Sequence, residues 1–267
     1  MNRALKELYL AVILALLAAP IVVVAGVSLN GPRSLRFPPV EPSLRWYGAL
    51  FSEADWVNAL SNSLLIAAIS AALAVAIALP LALFVWSRGT GLARALFALG
   101  VAPFMLPPVI SALGFMIFWI TLGGYGQMGA TVVSHAIFLV SLPLVTISLG
   151  LAAIDPALIE AARSMGATRA RVLSSIILPL VLPYLVSGYA FAYVLSLNEY
   201  IIAYMVAGFT VETLPIKIFN SLRYGYTPVM AVVAVMFVVG AVVVFGLIGR
   251  FGNLPRLLGA ERQKEDR

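Results

Sequence analysis

The side chains able to carry chemistry are few in this sequence, and their spacing excludes most catalysis. There is no cysteine and one histidine, His135, so neither a thiolate site nor a cluster of imidazole ligands can be assembled. No Gly-x-x-x-x-Gly-Lys-Ser/Thr run that would cradle phosphates occurs. A membrane-embedded protease or lipid transferase needs a nucleophile beside its base, or metal ligands facing one cavity, and the sequence offers neither. What remains is one acidic residue, Glu199, inside an apolar stretch that continues through 200–208. Ionisable groups at membrane depth are costly and mark functional positions by default. Glu199, Tyr200 and Tyr204 therefore form a candidate substrate path, with Tyr193 nearby. The carboxylate would attract an organic cation and the aromatic rings would line its way. The competing reading places Glu199 in the outer interface, hydrated or paired with Lys217 or Arg223, and leaves the tyrosines to plain packing. His135 reads as a packing or interface residue.

The elements that position these groups must live in lipid. The chain is 62% hydrophobic and only 10% charged, whereas a soluble domain carries roughly 25% charged residues. Six apolar runs stand out, at 8–29, 57–86, 95–120, 131–154, 176–207 and 228–248. The first holds 22 residues, about 33 Å at ~1.5 Å per residue, which matches a hydrocarbon core of ~30 Å. A signal peptide's apolar core is only about 7–15 residues, so this run reads as an uncleaved span. Run 176–207 holds 32 residues, about 48 Å of helix, enough to cross with excess. Backbone groups in lipid are satisfied only by helices or closed barrels, and runs this long argue for helix. The expectation is an all-α integral membrane protein of about six transmembrane helices, forming a single permease-sized domain over 1–267. Prolines within the runs imply kinks.

Charge sets the orientation. With both termini in the cytoplasm, twelve of the 17 Lys and Arg residues fall inside, and only Arg33, Arg36, Arg45, Lys217 and Arg223 fall outside. Because the basic residues sit at the ends of apolar runs and form no stripe, a nucleic-acid partner is not indicated; membrane lipid accounts for the net charge of +6. Trp46 and Trp56, in an outer loop, read as interfacial anchors. Segment 213–224 is too short and polar to cross and reads as an outer or re-entrant turn with a short helix.

The loop at 155–175, between the fourth and fifth runs, has helical grammar. Asp155 suits an N-cap, Pro156 the first helical position, and Gly166 a C-terminal stop. Leu158, Ala162 and Met165 fall on one helical face that, in an isolated loop, suggests a partner groove. The string Glu160-Ala161-Ala162, three residues, Gly166, nine residues, Ile176, one residue, Leu178-Pro179 resembles the EAA motif of ATP-binding-cassette importer permeases, with complete spacing. The stretch from Glu160 to beyond Tyr224, Trp46 to Phe51, and Asn62-Ser63-Leu64 resemble the second permease of spermidine/putrescine-type importers. One departure stands out: those permeases usually carry paired acidic residues where this chain has Asn198-Glu199.

The resemblance implies a type I importer permease bundle in a bacterial inner membrane. It implies a dimer of cassette ATPase subunits, a second permease subunit completing a heterodimer, and a periplasmic or extracellular solute-binding protein. Glu160, Ala161, Ala162 and Gly166 would couple to the ATPase, with Glu160 in polar contact, the alanines permitting close approach and Gly166 making the turn. No cofactor is expected on this chain, since ATP and Mg would sit on the partner ATPase. The implied solute is polyamine-like; opines, phosphonates and amino-acid-like solutes are the alternatives. A gradient-driven secondary transporter is disfavoured, because runs two, three and six carry no charge to relay protons.

Overall fold

The structure, a computed structural model, describes residues 3–251. The residues beyond, with Arg256, Arg262, Lys264 and Arg267 of the expected inner charges, lie outside the described residues. In chain order the helices are α1 (Arg3–Ser28), α2 (Arg45–Ser52), α3 (Ala54–Arg88), α4 (Gly91–Met105), α5 (Pro108–Leu122), α6 (Met128–Leu139), α7 (Ser141–Ala152), α8 (Pro156–Ser164) and α9 (Arg169–Val172). A π-helical turn at Leu173–Ile177 then leads into α10 (Leu178–Asn198), α11 (Ile201–Ala207), α12 (Leu214–Tyr224) and α13 (Val229–Phe251). No strand occurs among the described residues.

Four helical stretches are long and apolar enough to cross a bilayer, and six spans result if α4 with α5 and α6 with α7 each count as one. The run expected at 95–120 is thus two helices meeting at 105°, and 131–154 is two meeting at 42°. Proline chemistry explains both. Pro107 and Pro108 have no N–H to donate, and the residue before a proline is pushed to extended backbone, as Leu106 is at ψ 148. Pro143 cannot bond the Leu139 carbonyl, and its ring crowds that group, so the chain bends at Val140. The run expected at 176–207 is likewise divided, with α10 ending at Asn198 and α11 starting at Ile201.

One compact unit comprises the described residues up to Ser61 together with Leu214–Val242. Its core gathers Leu50, Trp56, Ala59, Leu214, Val229, Met230, Val232 and Val233. Trp56 is 3% exposed, and the Trp46 indole donates to the Asn30 carbonyl at 2.7 Å. Of the two tryptophans expected as interfacial anchors, Trp56 is thus interior, while Trp46, half-buried, packs against this core and ties α2 to the end of α1. Asn30 is buried with its amide fully used: it donates to the Val27 and Arg36 carbonyls and accepts from the Val40 amide, which folds the loop after α1 back on itself. Lys217 sits 3.5 Å from Asp55 and over the Trp56 ring, which ties α12 to the start of α3.

The second unit comprises Asn62–Thr213 with the described residues from Val243 on. Lipid tails are as apolar as leucine, so helices here associate through close packing of small residues and through internal hydrogen bonds. The pattern is plain in α3, where Ala67, Ala71, Ala74, Ala78 and Ala82 form one fully buried stripe. Ala78 and Ala82 pack in a cluster with Val140, Leu144, Ile147, Leu151 and Val181. Ser70 adds a hydrogen bond to the Val132 carbonyl at 3.0 Å. Between α7 and α10 two glycines set the spacing. A Cβ on Gly188 would lie 2.6 Å from Pro143 Cα, and one on Gly150 would lie 2.6 Å from the Tyr184 ring.

Candidate functional site

The first site is the α8 loop, and the local chemistry that builds it is complete. The Asp155 carboxylate accepts from the Ala157 amide at 2.9 Å, so α8 starts with its first turn satisfied. At the other end the Ala167 amide bonds the Ala162 carbonyl at 3.0 Å and the Gly166 amide bonds the Arg163 carbonyl at 2.9 Å. That pair of bonds is a Schellman stop, with Gly166 in the left-handed region at φ +84. Thr168 caps α9 by accepting from the Arg171 amide. The π-helical turn then absorbs one extra residue before Pro179, whose missing N–H would break an ordinary α-helix there; the Leu178 amide bonds back to Leu173. A hydrogen-bonded path of capped helix, short helix and π-helical turn therefore leads from α8 into α10.

The faces of α8 differ from the expected ones. Ala162, expected beside Leu158 and Met165 on a face awaiting a partner, is buried together with Ile159 in the cluster that contains Leu151, Ile154, Val172 and Ile177. The helix leans on its own chain, so one side is covered. Leu158 remains 50% exposed and Met165 82%, with Ala161 between them at helical spacing and Glu160 exposed alongside. Glu160, Ala161 and Gly166 are thus placed at the surface, and Ala162 fixes the helix from behind. Ile159, which the sequence reading passed over, does the same. A side chain on Gly166 would meet nothing within 4 Å, so only the backbone opposes it. Gly166→Ala should therefore cost about 1–2 kcal/mol locally through its left-handed φ, and Gly166→Asn less. Trypsin cleavage after Arg163, compared between these variants and wild type, checks the order.

The second site surrounds Glu199. Its side chain is only 9% exposed. The amides of Ile202 and Ala203, in the first turn of α11, donate to its two oxygens at 2.9 and 3.0 Å. His135 of α6, 1% exposed, brings Nε2 to 3.3 Å from the same carboxylate, a close polar contact although not aligned as a hydrogen bond. The other imidazole nitrogen, Nδ1, is 2.8 Å from Ser196 Oγ of α10. Tyr200 and Tyr204 stack at 5.4 Å directly after the break, and Tyr189 and Tyr193 stack at 6.1 Å on α10. Glu199, Tyr200 and Tyr204, the residues of the expected path, thus lie at the break between α10 and α11, and His135 and Ser196 join Glu199 there. The signal for Ser196 was its position one turn before Glu199; that for His135 was its being the single histidine in an apolar run. Among the described residues no group of acidic and imidazole side chains could hold a metal ion.

Residues 74–253, which carry both sites, match the family described as binding-protein-dependent transport system inner membrane component. The chain belongs to this family. It is a permease subunit of a binding-protein-dependent importer. A relative in Escherichia coli strain K12, the putrescine transport system permease protein PotI, is 32% identical over 213 residues, 77% of this chain and 75% of that protein. The spermidine/putrescine transport system permease protein PotC of Haemophilus influenzae is 29% identical over 253 residues, 93% of this chain and 98% of that protein. A solved bacterial ABC transporter involved in the import of the acidic polysaccharide alginate shares the fold, with a TM-score of 0.72 at 15% identity over 94% of this chain and 99% of that one. In this permease the α8 surface and the Glu199 cluster thus lie within the part shared with the family, while α1 and α2 precede it.

Proposed function

We propose that this permease forms half of the membrane pathway of an ATP-driven importer for a polyamine such as putrescine or spermidine. The observation that carries the mechanism is α8: a capped helix outside the apolar runs, with Leu158, Ala161, Met165 and Glu160 exposed on it and a continuous helical connection from α9 into α10. Such a helix docks into a groove on a cassette ATPase and passes the closure of that groove to the bundle, biasing a two-state inward or outward opening. ATP and Mg bind on the ATPase, a second permease supplies the other half of the path, and a periplasmic binding protein delivers the solute. Both termini and α8 lie on the cytoplasmic side of a bacterial inner membrane, in keeping with the distribution of basic residues. Tyr200 and Tyr204 face the path, where stacked rings offer cation–π contact to an ammonium group. The substrates named for PotI and PotC support the choice of polyamine.

The test is uptake of radiolabelled putrescine by cells lacking their own polyamine importers and expressing this chain with its ATPase, partner permease and binding protein. Uptake should continue when a protonophore collapses the proton gradient while ATP is maintained, and the purified chain alone should hydrolyse no ATP. Loss of uptake with the gradient at constant ATP would overturn the ATP-driven reading, and absence of putrescine uptake in an otherwise active importer would overturn the substrate.

A further inference from the structure

We infer that His135, Ser196 and Glu199 form a latch that holds the break between α10 and α11, which makes Glu199 a positioning residue and not a ligand for the solute. The need for such a latch follows from the backbone. A helix that restarts within an apolar protein leaves the N–H groups of its first turn without partners, and each such group is expensive away from water. The residue preceding α11, Tyr200, offers no side-chain acceptor to them. Glu199 does so from one position upstream, with one oxygen on the Ile202 amide and the other on the Ala203 amide. Its negative charge also sits at the positive end of the α11 dipole.

The end of α10 is held as well, the Glu199 amide bonding the Ser196 carbonyl at 3.3 Å. Asn198, the last residue of α10, donates its side-chain amide to the Val194 carbonyl one turn back at 2.7 Å. His135 reaches from α6 to the Glu199 carboxylate with one nitrogen and to Ser196 of α10 with the other. Three helices are therefore joined through one carboxylate and one imidazole: α11 donates two amides to Glu199, α6 brings His135 to the same carboxylate, and α10 holds the other side of that ring through Ser196. A carboxylate has about four acceptor directions. Two are taken by the amides and the imidazole crowds a third, so little is left for an ammonium group arriving from solution. The rings that would meet such a group, Tyr200 and Tyr204, follow the break immediately, and their placement depends on it.

The inference rests on the importer reading only for its consequence on transport; the geometry can be read without it. Since the sequence contains no cysteine, spin labels at Leu195→Cys on α10 and Phe209→Cys after α11, both exposed positions, report the break free of background. With the full chain in lipid nanodiscs, electron–electron resonance should give one narrow distance peak. Glu199→Ala and His135→Ala should each lose that peak, and the double variant should be no worse than the more damaged single, because both act on one latch. Glu199→Gln keeps one acceptor and should broaden the peak partway; it decides the matter if the alanine variant fails to insert. A wild-type distance peak in Glu199→Gln combined with loss of putrescine uptake would overturn the latch and return Glu199 to the solute. A broadened peak with no putrescine uptake by the wild-type importer would leave the latch standing and remove only the substrate.

Discussion

Glu160→Lys is expected to abolish solute uptake and to strip the ATPase from the purified importer, while the chain inserts and folds as wild type. Glu160 is exposed on α8, and exposed substitutions away from special features usually change stability by no more than about 0.5 kcal/mol. The fold of α8 does not depend on this side chain, because its start is held by Asp155, its end by the Schellman stop at Gly166, and its back by Ile159 and Ala162. What the substitution changes is the charge presented to a docking partner. Like charges forced together at an interface cost several kcal/mol, and about 3 kcal/mol corresponds to roughly a hundredfold loss of affinity. Co-purification of the ATPase through a tag on the permease, and putrescine uptake at matched membrane levels, are the two measurements. Uptake equal to wild type would remove Glu160 from the coupling surface.

The second large effect concerns the bundle and not the partner. Gly188→Val should lower the thermal melting point of the detergent-solubilised chain steeply and reduce its accumulation in membranes. Its Cβ would lie 2.6 Å from the backbone of Pro143 and 2.6 Å from Thr146 Oγ1, so relief requires α7 and α10 to separate. Those helices already meet again at Gly150 against Tyr184, and moving one contact opens the other. Overpacking of a close-packed interior typically costs about 1–3 kcal/mol, occasionally more, and the rigidity of Pro143 puts this site at the upper end. Gly114→Ala in α5 is the control. A Cβ there meets nothing within 4 Å, and replacing a helical glycine by alanine gains up to about 1 kcal/mol of helix propensity, so its melting point should hold or rise. Equal melting of Gly188→Val and wild type would show that α7 and α10 do not approach as closely as described.

Several features were legible because they depend on residues near one another in the chain. The caps of α8 are the clearest case: Asp155, Pro156 and Gly166 act on backbone groups within a few positions of themselves, so their identities and spacing suffice to place the helix. The proline bends at Leu106 and Val140 are local in the same sense. Kinks were expected there, though their size was not, since 105° and 42° depend on what the two half-helices find to pack against. The alanine stripe of α3, from Ala67 to Ala82, was equally readable as a small-residue interface and was passed over.

The sequence by itself determined that the chain lives in lipid as a helical bundle and that the loop at 155–175 carries a capped helix. Each follows from composition or from short-range backbone chemistry. Tertiary structure alone decided which face of α8 is free, because Ile159 and Ala162 are covered by α7 and the turn into α10. It decided that Trp56 is interior and that Glu199 meets His135, 64 positions earlier in the chain, and the start of α11. The physical reason is common to all three. A buried polar or apolar group takes whichever partner the packing brings within a few ångströms, and partners distant in sequence leave no periodicity or spacing by which they can be read.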